Sequence, residues 1–151
     1  MRLALAATAA MICAAPTAFG QTPHDTATFQ SIQNLCKAYD AAYNAKGPVG
    51  DAEFYAQDAV VVAANGAILQ GRDTIIKTFG GGWKEGAKHV CKVDDAQAMG
   101  NNAWAVGETK VTGLESPIHI RWAAFNVKKG DSWEIKMLSV TPIIESKEAA
   151  K

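Results

Sequence analysis

Apolar residues recur at steps of three and four near the start of the chain. They are Phe29, Ile32, Leu35, Cys36, Tyr39 and Tyr43. This spacing places them on one stripe of an amphipathic helix of about eighteen residues. Asp25 or Thr26 is the expected N-cap. Gly47 and Pro48 end the helix, because glycine tolerates the left-handed conformation at a helix C-terminus and proline cannot continue the helix.

The pattern then changes from helical to strand-like. Asp51 is expected to cap a second, short helix that runs through Phe54 and Tyr55. Residues 60–63 are rich in valine and predict a strand, the Asn-Gly pair at 65–66 predicts a hairpin turn, and residues 67–69 predict the returning strand. A third helix is expected to open at residues 71–73 and to stop at the three glycines 80–82.

Four longer strand-like runs follow, separated by turn residues. They cover residues 88–98, 103–112, 118–128 and 132–143. Helices that precede a run of consecutive strands are typical of an α+β domain in which the helices cover one face of a largely antiparallel sheet. The sequence therefore predicts one domain over residues 26–143, preceded by a flexible leader at 21–25 and followed by a frayed tail at 144–151.

The first twenty residues have the pattern of a secretory signal. A positive start at Arg2 precedes an apolar run, and small residues stand at Ala18 and Gly20, the positions that a signal peptidase reads. We expect a periplasmic or secreted protein that begins near Gln21, with an uncleaved anchor as the alternative. Loss of Arg2 leaves 14 basic against 15 acidic residues, a balance that favours neither nucleic acid nor an anionic membrane as partner.

The mature chain keeps two cysteines, Cys36 and Cys91. In an oxidising compartment an even pair is typical of one disulfide bridge, and two unpaired, buried cysteines are the alternative. If Cys91 faces inward with His89 and Val93, it points toward the sheet face that the first helix should cover.

Two stretches connect the chain with a known group of folds. They are FYAQDAVV at 54–61 and, after the turn glycine at 66, QGRDTI at 70–75. This order resembles the nuclear transport factor 2-like superfamily, and within it the SnoaL-like and ketosteroid isomerase-like domains. The resemblance covers about residues 26–143. It implies an α+β, cone-shaped fold with three N-terminal helices on a strongly curved, mostly antiparallel sheet of about six strands. It also implies a pocket for a small, partly apolar molecule, and a homodimer.

The catalytic residues of such proteins are only partly retained. Tyr39 falls where ketosteroid isomerases have the tyrosine that donates to an oxyanion. Their general base and their second oxyanion donor would fall at Ala63 and Ala123, so the resemblance does not favour steroid isomerisation. Arg121 corresponds to the arginine of an Arg-x-Asp motif in epoxide hydrolases of this fold, but Ala123 replaces the aspartate.

The fifth strand-like segment carries the most polar candidate site. Strand alternation places His119 and Arg121 on one face and the apolar Ile120 and Trp122 on the other. Ordinary burial favours the apolar face as the inner one. The resemblance instead turns His119 and Arg121 into the pocket, where His119 or Glu108 would move a proton and Arg121 would hold an anion. The alternatives are a solvated pair and a surface ion pair of Glu108.

The remaining candidates are aromatic. Tyr39, Tyr43, Trp83 and Trp104 are expected to contact the ligand, with ordinary core packing as the alternative. A homodimer is expected through the outer sheet face, with Ile118, Ile120 and Trp122 as contacts. The three histidines have no metal-ligand spacing, and no cofactor motif is present, so neither metal nor cofactor is expected.

Two functions stay open. The first is an exported domain that binds a small, partly apolar organic molecule, with acid–base chemistry of the isomerase, cyclase or hydrolase type. The second is a non-catalytic exported domain for ligand binding or dimerisation. Retention of Tyr39, His119 and Arg121 favours the first, and the alanines at 63 and 123 favour the second.

Overall fold

The computed structural model describes residues 25–144. The proposed signal peptide, residues 21–24 of the leader and residues 145–151 of the tail lie outside this range. The elements in chain order are α1 (Thr26–Lys46), a 3-10 helix (Gly47–Phe54), β1 (Tyr55–Val62), β2 (Ile68–Gln70), α2 (Arg72–Gly80), β3 (Lys88–Met99), β4 (Asn102–Thr112), β5 (Ile118–Lys129) and β6 (Ser132–Pro142).

The long N-terminal helix begins and ends where the sequence indicates. The carboxylate of Asp25 accepts a hydrogen bond from the backbone N–H of Thr28 at 3.0 Å, which satisfies one of the free donors of the first turn. Gly47 follows Lys46 with φ +68°, the left-handed conformation that glycine adopts without a steric penalty.

The second predicted helix is a 3-10 helix, and the strand after it begins earlier than expected. Two glycines and a proline within eight residues disfavour an α-helical hydrogen-bond ladder, so the segment Gly47–Phe54 takes the tighter form used in short pieces. Tyr55 belongs to β1 and not to a helix. Residues 25–144 therefore contain two α-helices and one 3-10 helix in place of the three expected helices.

The six strands form one mixed sheet in the order β2-β1-β6-β5-β4-β3. The β1–β6 pair is parallel, and the other four pairs are antiparallel. The helices pack on one side of this curved sheet, which confirms the predicted α+β cone. Each strand therefore has an inner face toward the helices and an outer face away from them.

Helix α1 also protects the exposed edge of the sheet. Strand β3 is an edge strand, and edge N–H groups without partners invite pairing with other chains. Side chains of α1 and its cap accept several of these N–H groups. The pairs are His89 with Asn44, Cys91 with Asp40, Val93 with Gln33, and Ala98 with Asp25. These bonds fix the helix along β3 and so determine which side chains of the two elements meet.

Candidate functional site

A cavity of about 80 Å³ lies between α1 and the inner face of the sheet. Its wall is mostly apolar and is built by Ile32, Leu35, Ile120, Trp122, Leu138 and Val140. Gly107 makes room for this wall, because a Cβ at that position would overlap the indole ring of Trp122. Five polar side chains interrupt the apolar lining: Tyr39, Tyr55, His89, Thr109 and Asn126. A few polar groups in an apolar concavity are typical of a small-molecule site.

His89 and Asp40 form a close pair at this cavity. His89 is 9% exposed, and its Nδ1 lies 2.6 Å from Oδ1 of Asp40. The Asp40 carboxylate also accepts the backbone N–H of Cys91 at 3.0 Å and 3.1 Å, so three contacts hold it in place. Because Asp40 engages Nδ1, Nε2 is the ring nitrogen available for proton transfer. A carboxylate that orients an imidazole in this way is a recurrent arrangement for general acid–base chemistry.

Two tyrosines stand beside this pair. The hydroxyl oxygens of Tyr39 and Tyr55 lie 3.3 Å apart, and the Tyr39 ring packs against the His89 ring with 5.0 Å between centroids. Burial raises the pKa of Tyr39 well above its ordinary value and also raises the pKa of Tyr55. Both hydroxyls therefore stay protonated near neutral pH and can donate hydrogen bonds to an oxygen of a ligand.

Behind the tyrosines lies Asp51, which is 0% exposed. Neither of its carboxyl oxygens has a hydrogen-bond partner among the described residues. Burial raises the pKa of Asp51 to about 8, the nearby Tyr39 hydroxyl opposes this rise, and the negative charge of Asp40 adds to it. Asp51 is therefore a neutral acid at pH 7.

Two smaller polar groups complete the lining. Thr109 and Asn126 are 4% and 1% exposed, and both lie on the inner face of the sheet. The Asn126 amide donates to the backbone carbonyl of Ala103 at 3.4 Å, a long hydrogen bond that leaves donor capacity for a ligand.

The structure places His119, Arg121 and Glu108 outside this cavity, on the outer face of the sheet. Nε2 of His119 lies 2.6 Å from Oε1 of Glu108, and Arg121 pairs with Asp94 at 2.8 Å. Contact with His119 lowers the pKa of Glu108. The predicted orientation of these residues toward the pocket is wrong. The alternation leaves two faces, and the uniformly apolar face with Ile120 and Trp122 is the one that packs inward.

Because the inner and outer faces of β5 are exchanged relative to the prediction, the predicted dimer contacts change as well. Ile120 and Trp122 line the cavity, so they cannot form an outer surface. Ile118, the third predicted contact, is 41% exposed and so stays accessible to another subunit.

The predicted aromatic contacts are divided among three places. Tyr39 lines the cavity. Tyr43 packs against the His89 ring at 4.9 Å but lies behind the wall, in a cluster that includes Trp83. Trp83 covers Gly47, where a Cβ would come within 2.6 Å of its ring. Trp104 pairs with Phe125 across β4 and β5 on the outer face.

The sulfur atoms of Cys36 and Cys91 lie at disulfide distance, 2.16 Å apart. The pair joins α1 to β3 and forms part of the cavity wall. Cys91 therefore faces inward, as the prediction of a bridge to the first helix requires.

A second, open groove lies on the other side of Leu35, between α1 and the β5–β6 turn. Its volume is about 460 Å³, and its lining includes Asn34, Lys129, Trp133 and Glu134. Lys129 and Glu134 form an ion pair across it at 2.5 Å. Two of its charged groups are thus engaged with each other.

Sequence reasoning missed Asp40, Tyr55 and His89 as site residues. Asp40 directly follows Tyr39 on α1, and His89 is two positions from Cys91 on the same face of β3. The proposed bridge already brings Cys91 to α1, so it would also have brought His89 to Asp40. That inference was available from the alternation of the strand.

Comparisons with known proteins agree with this fold. No family model matches the chain, and no curated protein matches it. Several solved structures match the chain. A nuclear transport factor 2-like protein from Shewanella oneidensis is 18% identical with a TM-score of 0.65, and the match covers 74% of this chain and 97% of that one.

Two further neighbours carry functional names. A candidate scytalone dehydratase from Novosphingobium aromaticivorans is 17% identical with a TM-score of 0.63, over 79% of this chain and 86% of that one. A candidate calcium/calmodulin-dependent protein kinase II association domain from Xanthomonas campestris is 18% identical with a TM-score of 0.62, over 76% and 87%. The chain thus has the nuclear transport factor 2-like cone fold that the sequence resembles.

Two searches of the described residues 25–144 bear on other kinds of site. No helix in this range is long and apolar enough to cross a membrane. Within the same range no group of three or more His, Cys, Asp and Glu residues is arranged to hold a metal ion.

Proposed function

We propose that the cavity binds a small, largely apolar carbonyl compound and that His89, oriented by Asp40, moves a proton on it. The observation that carries this proposal is the 2.6 Å contact between His89 Nδ1 and Asp40 at a cavity that also contains the hydroxyls of Tyr39 and Tyr55. Base and oxyanion donors thus share one partly apolar space, as proton abstraction next to a carbonyl requires.

The proposed steps use only side chains of the site. Nε2 of His89 takes a proton from the carbon next to the carbonyl, and the electron pair of that C–H bond moves into the carbonyl to form an enolate. The Tyr39 and Tyr55 hydroxyls donate to the enolate oxygen. Return of the proton to the far carbon of a conjugated enolate gives isomerisation, and return to the original carbon gives exchange with solvent. If a hydroxyl stands on the next carbon, the enolate expels it, His89 gives it the proton, and water leaves together with an unsaturated carbonyl product.

Dehydration is the version that we favour. The fold is shared with a candidate scytalone dehydratase, at an identity that relates the folds and not the activities. The polar Thr109 and Asn126 give the cavity further groups for hydroxyls of a substrate. The alternative is a non-catalytic binding domain that uses the same cavity.

The test is proton exchange on an apolar, enolisable probe. Wild-type protein in D2O should incorporate deuterium next to the carbonyl of 2-tetralone, as followed by NMR, faster than buffer alone. His89→Gln should lower this rate by roughly 10²- to 10⁴-fold, because the base is removed. Asp40→Asn should also lower it, because the amide does not hold the imidazole as the carboxylate does.

His119→Gln is the matched control, since it removes a histidine from the outer face and should leave the rate unchanged. Equal exchange by wild type and His89→Gln would contradict the catalytic proposal. Saturable binding of 2-tetralone without exchange above buffer would favour the non-catalytic alternative.

We also propose a homodimer through the outer face, with contacts that differ from those predicted. One row across the strands contains Trp104, Phe125 and Met137, and Met137 is 45% exposed. An apolar row on a sheet face is a reasonable subunit contact. Met137→Lys should convert a dimer to a monomer in sedimentation, and a wild-type monomer at micromolar concentration would contradict the proposal.

Export is the third part of the proposal. The signal-like residues 1–20 and the paired cysteines Cys36 and Cys91 are consistent with an oxidising compartment. Protein recovered from the periplasm should have the intact mass of a chain that begins near Gln21. Recovery of the full-length chain from membranes would contradict this.

A further inference from the structure

A carboxyl group is buried beside the cavity without a hydrogen bond. Asp51 lies in the 3-10 helix between α1 and β1, its side chain is 0% exposed, and both of its oxygens are unpaired within the described residues. Burial of a polar group without a hydrogen bond costs on the order of 1–3 kcal/mol. A nearby hydroxyl would satisfy this carboxyl.

The partners available to Asp51 are tyrosines. Burial raises the pKa of Tyr39 and Tyr43 on α1 and of Tyr55 at the start of β1, and the charge of Asp51 adds to each rise, so all three lie near this carboxyl. Burial raises the pKa of Asp51, and the Tyr39 hydroxyl is the one of the three that opposes this rise, so it is the partner nearest to forming a hydrogen bond with the carboxyl. It is also the hydroxyl that meets Tyr55 and lines the cavity.

The charged and titratable groups around this cluster come from every neighbouring element. On α1, Asp40 acts on Asp51 through its negative charge. On β3, the ring of His89 packs at a tilt against the rings of Tyr39 and Tyr43. From α2 and β6, Arg72 and Glu134 pair with each other at 3.5 Å, and Arg72 also donates to the backbone carbonyl of Tyr55.

We propose that Asp51 is a positioning residue that, as a neutral acid, donates its proton to the Tyr39 oxygen and so directs the Tyr39 O–H toward the ligand. This inference rests on the proposed function, because it assigns Tyr39 a ligand oxygen. A tyrosine hydroxyl donates one hydrogen bond and accepts others. When Asp51 fills the accepting side, the O–H of Tyr39 is left for Tyr55 or for the ligand.

Ionisation of Asp51 reverses this arrangement. A carboxylate can only accept, so the Tyr39 O–H turns toward Asp51 and the ligand oxygen loses a donor. The pKa of Asp51 is raised to about 8 by burial, so the change occurs in the mildly alkaline range. Tyr39 itself ionises at higher pH, since its pKa is raised well above 10.0.

The first test needs no ligand. In protein labelled with ¹³C at the tyrosine ζ carbon, the Tyr39 resonance, assigned with Tyr39→Phe, should shift with a midpoint near pH 8, the value to which burial raises the Asp51 pKa. Asp51→Asn should remove this shift, because the amide donates at every pH and has the same shape. Absence of the shift in wild type, or its persistence in Asp51→Asn, would overturn the proposal.

The second test uses 2-tetralone as a neutral probe. Its affinity for wild type should fall by roughly 3- to 10-fold as the pH rises through 8, the loss of one neutral hydrogen bond. Asp51→Asn should bind as tightly as wild type at pH about 6 and show no fall at higher pH. Asp51→Leu should bind about 3- to 10-fold more weakly than wild type at pH about 6 and show no further fall at higher pH, because nothing directs the hydroxyl.

Equal affinity of Asp51→Leu and wild type at low pH would overturn the positioning role. Circular dichroism of both variants checks that they fold. Failure of the wild type to bind 2-tetralone would contradict the proposed function alone. The pH dependence of the Tyr39 resonance would still decide whether Asp51 directs Tyr39.

Discussion

The burial of Asp51 predicts an unusual dependence of stability on pH. We consider Asp51→Asn, which keeps the shape of the side chain and removes its titration. The pKa of this carboxyl is about 8 in the folded protein against an ordinary value of 3.8. Between these two values the folded chain holds a proton that the unfolded chain has released. Wild-type stability therefore falls as the pH rises through this window.

The magnitude follows from one proton. Each pH unit between pH about 4 and about 8 should cost wild type about 1.4 kcal/mol of unfolding free energy through Asp51 alone. Over the whole window this amounts to about 6 kcal/mol, which is comparable with the total stability of many domains. Asp51→Asn should remove this part of the slope, so its stability relative to wild type should rise steadily with pH.

Urea denaturation at several pH values measures this. Asp94→Asn is the control, because the ion pair with Lys92 lowers the pKa of Asp94 and confines its effect to more acidic solutions. Between pH about 5 and about 8 the Asp94→Asn curve should run parallel to wild type. Equal slopes for wild type and Asp51→Asn would refute the reasoning, since the buried carboxyl would then not be protonated.

Reduction of the cysteine pair and one substitution test the frame around the cavity. A bridge between Cys36 and Cys91 closes a loop over a sequence separation of 55, so its reduction should lower the stability by about 4 kcal/mol; two reactive thiols in the unfolded, unreduced protein would contradict it. Gly107→Ala should cost about 3 kcal/mol and shift the fluorescence of Trp122, because the new methyl group overlaps its ring. Gly82→Ala, where a Cβ meets nothing within 4 Å, is the control, and equal stabilities would refute the packing argument.

Local signals in the sequence predicted most elements of the fold. The cap at Asp25, the break at Gly47 and the separators of the four long strands each correspond to an observed boundary. The early start of β1 at Tyr55 was not predictable, because residues 55–59 lack the valine-rich pattern of 60–62. There the pairing of Tyr55 with Ile135 in the parallel β1–β6 ladder determines the structure.

The site was less predictable because it depends on which sheet face is inner. A strand has two faces, and a shift of one residue exchanges them. The resemblance predicted that Ala123 lies on the inner face, together with His119 and Arg121. In the structure the inner face is the opposite one, which carries Trp122. The burial of apolar surface predicted the inner face better than the resemblance did, because burying Ile120 and Trp122 stabilises the fold more than burying His119 and Arg121 would.

The acid–base residues come together only through tertiary packing. Asp40 and His89 are 49 positions apart, and Asp51 is buried where the 3-10 helix packs against α1. No local motif marks either feature.

A crystal structure of the wild-type protein with 2-tetralone tests the central claim most directly. The account predicts that the carbonyl oxygen lies within hydrogen-bond distance of the hydroxyl of Tyr39 or Tyr55, with the adjacent carbon facing Nε2 of His89. A probe seated beside Arg121 on the outer face, or in the groove beside Lys129, would contradict the account.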